Sequence, residues 1–152
     1  MATNTGWSVD GDSSYDFGIV KIDCFIGRVV GTFGIDVVND ATLNNETTQI
    51  VGYPGGGPEE QKDAQHQWGS VGRIISYTPR SAYYDNDTGP GDSGGPVYRS
   101  RGGCQACVFG IHGGPQDATK NQGVRINTEV FNFLMAFTPN PPPKVYLPFV
   151  RR

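Results

Sequence analysis

Ser93 lies between glycines in residues 91–96, whose sequence is Gly-Asp-Ser-Gly-Gly-Pro. A serine hydroxyl is a weak nucleophile, so it must be held beside a base and opposite hydrogen-bond donors that receive the new oxyanion. Glycine allows the backbone to turn tightly, so that the amides of Gly91 and Ser93 can point at one spot. The segment therefore predicts acyl transfer, with Ser93 as the nucleophile and these two amides as the oxyanion hole.

Two other motifs overlap this loop. Residues 91–95 also fit the G-x-S-x-G turn of α/β-hydrolases, but that turn must lead into a helix, whereas residues 96–98 (Pro-Val-Tyr) are typical of a strand. Residues 89–94 fit G-x-G-x-x-G, but no predicted helix follows and no strand–helix–strand unit surrounds them. We therefore predict neither an α/β-hydrolase nor a dinucleotide site.

Asp16 is the candidate acid. It precedes residues 17–22 (Phe-Gly-Ile-Val-Lys-Ile), an aliphatic segment typical of a strand with buried positions. An aspartate buried at the start of such a strand can accept the Nδ1 proton of a catalytic histidine and hold the ring in place. Asp16 also precedes Ser93 along the chain, which gives the order acid, then nucleophile.

Together, the Ser93 loop and the Asp16 segment resemble the trypsin-like (chymotrypsin-fold) serine proteases. Residues 52–54, 84–88 and 109–114 resemble the glutamyl endopeptidase (V8-like) branch, and the resemblance extends over about residues 6–137. It implies a secreted serine endopeptidase that acts on proteins or peptides without a metal or cofactor. Ser93 would be the nucleophile, Asp16 the acid that orients the histidine, and the Gly91 and Ser93 amides the oxyanion hole.

The same resemblance implies a specificity pocket. Thr88 would line its base and His112, on the predicted strand 107–112, would bind a substrate carboxylate, as suits an imidazole beside a hydroxyl. Asp87 complicates this prediction, because it stands six residues before Ser93, where trypsin keeps the aspartate that binds Arg or Lys. We favour cleavage after acidic residues over cleavage after basic ones. This preference requires Asp87 to be turned away or hydrogen-bonded elsewhere, since a buried carboxylate would repel the substrate.

The sequence does not show which residue serves as the general base. Proteases of this family have the order His, Asp, Ser, but none of the 15 residues before Asp16 is a histidine. The one histidine between Asp16 and Ser93 is His66, which we predict to lie in a loop or at the start of a strand rather than beside Ser93. A triad that lacks one member retains only about 10³–10⁴-fold catalysis over water.

Three explanations fit this pattern. The chain is a piece of a longer protease, it pairs with a second polypeptide that supplies the histidine, or it is a protease relative without activity. We favour the first explanation, because the loop, Asp16 and the pocket residues look intact. The rival function is a catalytically inactive module that holds acidic peptide side chains in the pocket around His112.

Composition predicts the fold class. The chain has 152 residues with 22 glycines and 11 prolines, which favours many short strands and turns, and hence an all-β fold. The family resemblance implies the second β-barrel of a chymotrypsin-like protease plus the last strand or strands of the first. We expect residues 1–38 to be the remnant of the first barrel and the linker. Residues 39–138 would form the second barrel with a C-terminal helix capped by Asn127, and residues 139–152 a Pro-rich tail.

The net charge of −3 argues against nucleic acid or an anionic membrane as a partner. No apolar run approaches the roughly 18 residues that a membrane-spanning helix needs. Among the three cysteines, Cys104 and Cys107 have the spacing of a zinc or redox pair, but a zinc ribbon needs four ligands. We favour a disulfide, either within the short loop between these two residues or from Cys24 to one of them.

Overall fold

A computed structural model describes residues 1–22, 26–55, 64–101 and 104–137, with Arg101 and Cys104 described by their backbone only. The predicted Pro-rich tail, residues 139–152, lies outside these ranges. The predicted division at residue 38 stays a prediction, because no feature of the described residues tests it.

Six antiparallel strands close into a barrel, which confirms the all-β prediction. The strands are β4 (Thr47–Gly52), β5 (Trp68–Tyr77), β6 (Ser81–Tyr84), β7 (Pro96–Arg101), β8 (Cys104–Pro115) and β9 (Asn121–Arg125). The sheet order is β7-β4-β5-β6-β9, and β8 pairs with both β7 and β9, so the ring has no free edge. Its interior is filled by apolar side chains that include Ile50, Ile74, Tyr84, Val97 and Phe109.

Strand β5 contains two glycines, Gly69 and Gly72, which are common at bends and bulges of strands. Neither causes one here, because β5 pairs with β4 in unbroken register from Trp68 to Arg73. The irregularity lies between Ile74 and Ser76, where β5 pairs with β6. Gly72 instead permits a close approach, because a Cβ there would lie 2.7 Å from the Asn86 amide nitrogen.

The N-terminal segment, although polar, contains short regular elements. Residues 1–14 include β1 (Ala2–Thr3), α1 (Thr5–Ser8) and the start of a 3₁₀ turn, Ser13–Tyr15. The predicted strand 17–22 is wrong in length, since β2 covers only Gly18–Ile19, where it pairs with β1. Val20 is 65 % exposed, because only two residues of β1 are available to pair with this segment.

The segment between β2 and the barrel carries α2 (Gly27–Val30), β3 (Gly34–Ile35) and α3 (Asp40–Leu43). Strand β3 joins the outside of the barrel by parallel pairing with β8. The Arg99 guanidinium on β7 holds this segment in place, since it lies 2.6 Å from Asp36 and 3.2 Å from Glu46. An ion-pair cluster of three side chains therefore ties the segment to the barrel wall.

Cys107 on β8 forms a disulfide. Cys24 and the side chain of Cys104 lie outside the described residues, so the choice between the two predicted pairings stays open. A disulfide at Cys107 is nevertheless the outcome that the sequence favoured over a metal or redox pair.

Helix α4 (Thr128–Ala136) closes the fold against β9, as predicted. Val130 is fully buried, and Phe133 and Leu134 pack on the same cluster, which also contains Phe17. Phe17 and Phe133 meet edge to face with ring centroids 5.3 Å apart. The helix thereby fixes the residue that follows Asp16.

We expect Asn127→Ala to lower the free energy of unfolding by about 1 kcal/mol, the usual cost of losing an N-cap. The Asn127 side chain accepts a hydrogen bond from the Val130 amide at 3.0 Å and donates one to the Pro79 carbonyl at 3.1 Å. Urea denaturation would measure the loss. Asn132→Ala, on the exposed face of α4, is the matched control. Equal stability of the two variants would contradict the capping role.

Candidate active site

The loop that carries Ser93 is fixed to strand β8 by backbone hydrogen bonds. The Gly94 amide donates to the His112 carbonyl at 2.7 Å, and the His112 amide donates to the Gly95 carbonyl at 2.9 Å. Within the loop, the Gly95 amide donates to the Asp92 carbonyl at 2.9 Å. The nucleophile loop and the strand of the predicted pocket histidine therefore form one unit, in which neither can shift without the other.

Gly91 has a conformation that requires glycine. Its φ is +102°, and a Cβ at this position would lie 3.0 Å from the Tyr53 carbonyl oxygen. No hydrogen bond from the Gly91 or Ser93 amide to another described residue is found, in a loop where the neighbouring amides are bonded. Two such unbonded donors beside an exposed serine are what an oxyanion hole needs.

We expect Gly91→Ala to destabilise the loop and to slow acylation of Ser93. Alanine at position 91 would have a disfavoured φ and would also collide with the Tyr53 carbonyl. Gly11 also has a positive φ, +69°, but a Cβ there meets open space, so Gly11→Ala isolates the conformational cost of about 1–2 kcal/mol. If Gly91 supplies an oxyanion donor, acylation should fall by about 10²–10³-fold. The measurement pairs urea denaturation with fluorophosphonate labelling. Matching losses in the two variants would refute a special role for Gly91.

Asp16 and Ser93 approach the same part of β8. The Ser93 hydroxyl is exposed and donates to the Gly113 carbonyl at 3.0 Å. Asp16 borders a cavity of about 150 Å³ whose walls include Gly113 and Gly114 from β8, with Gln122 and Gly123 from β9. The two residues predicted to flank a catalytic histidine thus both lie near Gly113: Ser93 by a hydrogen bond and Asp16 through a shared cavity wall.

Asp16 is held by its neighbours rather than by a strand. It follows the 3₁₀ turn and is half-buried, where a buried position at a strand start was expected. The Tyr15 ring lies under the Arg80 guanidinium, 4.0 Å from the ring centroid, and the Phe17 carbonyl accepts from the Thr3 hydroxyl at 2.8 Å. The backbone is therefore held on both sides of Asp16.

His112 is 2 % exposed and is bonded to a residue that the sequence analysis did not single out. Its Nδ1 lies 2.7 Å from the Tyr84 hydroxyl, which also donates to the Gln122 carbonyl at 3.0 Å. Burial lowers the pKa of His112, an effect that the nearby Asp92 carboxylate partly opposes. Successive side chains of a strand point to opposite faces, so Ala82 and Tyr84 share the inner face of β6. This period of two was the one sequence signal that could have placed Tyr84 inside the barrel.

Asp92 is a second residue that the sequence analysis left without a role. It is 6 % exposed, and one carboxylate oxygen accepts from the Gly89 amide at 2.9 Å. Its Oδ1 has no hydrogen-bond partner among the described residues. Gly52 makes room for it, since a Cβ there would lie 2.1 Å from Oδ1. The carboxylate is thereby fixed close enough to His112 to influence its charge.

Thr88 and Asp87 line a cavity to which His112 does not contribute. Both border a cavity of about 120 Å³ that is walled by Trp68, Gly69 and Ser70 from β5, and whose lining does not include His112. Asp87 is exposed. The predicted pocket residues Thr88 and His112 therefore do not share this cavity, and Asp87 lies beside Thr88 in its wall.

Asn86 anchors the segment that carries these two residues. Its buried side chain donates to the Ser70 carbonyl at 3.0 Å and pairs with the Thr48 hydroxyl. Its own carbonyl accepts from the Asn121 side chain at 2.7 Å. Strands β4, β5 and β9 therefore all hold the start of the nucleophile loop.

His66 lies in an exposed bend before β5, as predicted. The other histidine, His112, has its Nδ1 engaged by Tyr84. Neither is placed between Asp16 and Ser93 by any contact among the described residues.

The chain is similar to named proteases in sequence and in fold. A glutamyl endopeptidase of Bacillus licheniformis is 34 % identical over 139 residues, which are 86 % of this chain and 41 % of that protein. The solved structure of a Glu endopeptidase in complex with MPD superposes with a TM-score of 0.74 at 29 % identity, covering 88 % of this chain and 60 % of that one. These similarities support a chymotrypsin-fold protease of the glutamyl endopeptidase (V8-like) type, of which this chain matches a part. A protein named extracellular metalloprotease, from Bacillus subtilis, is 29 % identical over 84 % of the chain and 39 % of its own length.

The present chain spans about two fifths of the length of these two curated relatives. No protein-family model matches it. Within the part of the chain that the structure describes, no group of three or more His, Cys, Asp or Glu residues is placed to hold a metal ion.

Proposed function

We propose that the chain is the Ser93-bearing part of a serine endopeptidase that cleaves after acidic residues. Ser93 attacks the scissile carbonyl, and the Gly91 and Ser93 amides stabilise the oxyanion. A histidine held by Asp16 takes the serine proton. The observation that carries the proposal is that the Ser93 hydroxyl bonds to the Gly113 carbonyl while Asp16 borders a cavity that Gly113 and Gly114 also line.

The histidine of this mechanism comes from residues other than His66 and His112. His112 is bonded to Tyr84, and His66 is exposed at a bend. We infer that a further segment of a longer protein, or a second polypeptide, supplies the ring. The relatives support this inference, since this chain corresponds to less than half of each.

The acidic preference rests on His112. A buried imidazole that becomes positively charged attracts a glutamate or aspartate side chain much more strongly than it would in water. Thr88 borders the same cavity as Asp87, and His112 is not part of its lining, so Thr88 adds no separate support. Asp87, which would favour a basic side chain, is exposed.

Secretion is the location that fits the relatives, one of which is named an extracellular protease. Among the described residues, no helix has the length and apolarity to cross a membrane.

A second candidate function is a binding module without catalysis. The observation that favours it is the engagement of His112 by Tyr84, which leaves the chain by itself without a histidine next to Asp16. Such a module would hold acidic peptide side chains in the pocket without cutting.

Acylation by activated esters tests both the nucleophile and the preference. Nitrophenyl esters of blocked glutamate, glutamine and arginine need little help from a general base, so the chain itself can be used. We expect Ser93 to be acylated fastest by the glutamate ester, as read by intact mass and peptide mapping, with no adduct in Ser93→Ala. Acylation of a residue other than Ser93 would contradict the assignment of the nucleophile. Equal acylation rates with the three esters would contradict the preference for acidic side chains.

A further inference from the structure

The Tyr84 hydroxyl has a single proton and two neighbours. The Gln122 carbonyl oxygen, 3.0 Å away, can only accept a hydrogen bond, and His112 Nδ1, 2.7 Å away, can either accept or donate. Both contacts are satisfied only when Tyr84 donates to Gln122 and Nδ1–H donates to the Tyr84 oxygen. Leaving either group unpaired in this buried place would cost about 1–3 kcal/mol.

The position of the Tyr84 hydroxyl is fixed by close packing against Gly123. A Cβ at Gly123 would lie 2.8 Å from the Tyr84 oxygen and 2.5 Å from the Ile111 carbonyl oxygen, so only glycine fits under the phenol. Burial raises the pKa of the Tyr84 phenol, which therefore keeps its proton. The donor direction along Gln122, Tyr84 and His112 follows from these contacts.

We propose that Tyr84 holds neutral His112 as the Nδ1–H tautomer, so that the pocket takes up one proton when it binds an acidic side chain. In this tautomer Nε2, on the other edge of the ring, carries a lone pair and cannot donate to a carboxylate. A bound glutamate therefore requires a proton from solvent, shared between Nε2 and the carboxylate. The inference deepens the proposed function, on which its peptide part rests, and makes Tyr84 a positioning residue for specificity.

The groups around the ring agree with this assignment. Tyr84 reaches it from β6, the Gln122 carbonyl lies behind Tyr84 on β9, and Asp92 in the nucleophile loop is the charged group that acts on the ring. Burial holds the pKa of His112 below its ordinary value, so the ring is neutral near pH 7 before a peptide binds. Binding coupled to one proton then weakens about tenfold for each pH unit above that pKa.

The test uses nitrogen NMR on the chain labelled with ¹⁵N-histidine, with His66→Gln to assign the two rings. We expect Nδ1 of His112 to carry the proton in the free neutral protein, and Tyr84→Phe to lose this fixed preference. The probes are acetyl-Ala-Ala-Glu-amide and its glutamine counterpart. We expect glutamate-peptide affinity to fall about tenfold per pH unit in the wild type and less steeply in Tyr84→Phe, with uptake of one proton measured by calorimetry in two buffers.

The two ideas fail in different ways. A wild-type His112 protonated at Nε2, or a glutamate peptide that binds without proton uptake, overturns the role of Tyr84 whatever the peptide preference. An Nδ1–H ring in a chain that does not discriminate glutamate from glutamine overturns the acidic pocket and the proton uptake that depends on it. The wild-type tautomer and pH slope decide the matter even if Tyr84→Phe does not fold.

Discussion

Imidazole added to this chain is expected to accelerate labelling of Ser93 by a fluorophosphonate probe, and to do so through Asp16. The Ser93 hydroxyl donates to the Gly113 carbonyl, so no base activates it within the described structure. Asp16 borders a cavity of about 150 Å³ next to Gly113. A diffusible imidazole that enters this cavity can take the serine proton while the Asp16 carboxylate holds its other nitrogen.

The expected acceleration by imidazole is smaller than that of a catalytic histidine, because free imidazole is not held in position. A held general base contributes about 10²–10⁴-fold, and a diffusible one loses part of this because it is not fixed, so we expect about a tenfold acceleration. Ser93→Ala should abolish labelling altogether. Asp16→Asn should remove the imidazole effect while leaving the slow basal labelling, because it changes only the group that orients the ring.

Three controls sharpen this experiment. His66→Gln should label like the parent chain, since an exposed bend histidine has no part in the mechanism. N-methylimidazole, which can accept a proton but cannot donate one to Asp16, should help less than imidazole. A chelator should have no effect, which addresses the relative named as a metalloprotease. A folded chain that ignores imidazole, or one that responds equally with Asp16→Asn, would contradict the placement of the base beside Asp16.

The nucleophile loop could be predicted from the sequence because its chemistry is local. Glycines around Ser93 determine the turn, and six contiguous residues supply both the nucleophile and the proposed donors. The barrel strands were likewise predictable, since their alternation and turn residues are short-range signals. The family resemblance then specified how the strands close into a ring.

Contacts between distant residues could not be predicted in the same way. Tyr84 meets His112 from 28 positions away, and neither the strand pattern nor the composition specifies which hydroxyl reaches which ring. The two-residue length of β2 depends on how much of β1 is available to pair with it. Asp92 looked like a spacer in a glycine loop, and only the close approach of Gly52 reveals that its carboxylate is enclosed.

Loss of the Arg99 guanidinium is expected to have the largest effect on stability. Arg99 faces Asp36 and Glu46, and the Glu46 side chain is 2 % exposed. Removing one partner of a buried ion pair leaves an uncompensated charge, which typically costs about 3–5 kcal/mol. Because a domain of this kind has only about 5–15 kcal/mol in total, Arg99→Met should approach the limit of folding. Urea denaturation followed by tryptophan fluorescence would measure the change.

Two comparisons separate the buried charge from the loss of a long side chain. Lys120→Met removes an exposed pair with Asp117, where the separation is 3.6 Å, and should cost no more than about 1 kcal/mol. Adding Glu46→Gln to Arg99→Met should restore part of the stability, because the enclosed carboxylate is gone. If Arg99→Met and Lys120→Met were equally stable, the cluster would be no more than a surface contact, and the segment from β3 to α3 would be held by the pairing of β3 with β8 and by Arg125, which contacts Val38 and Asp40.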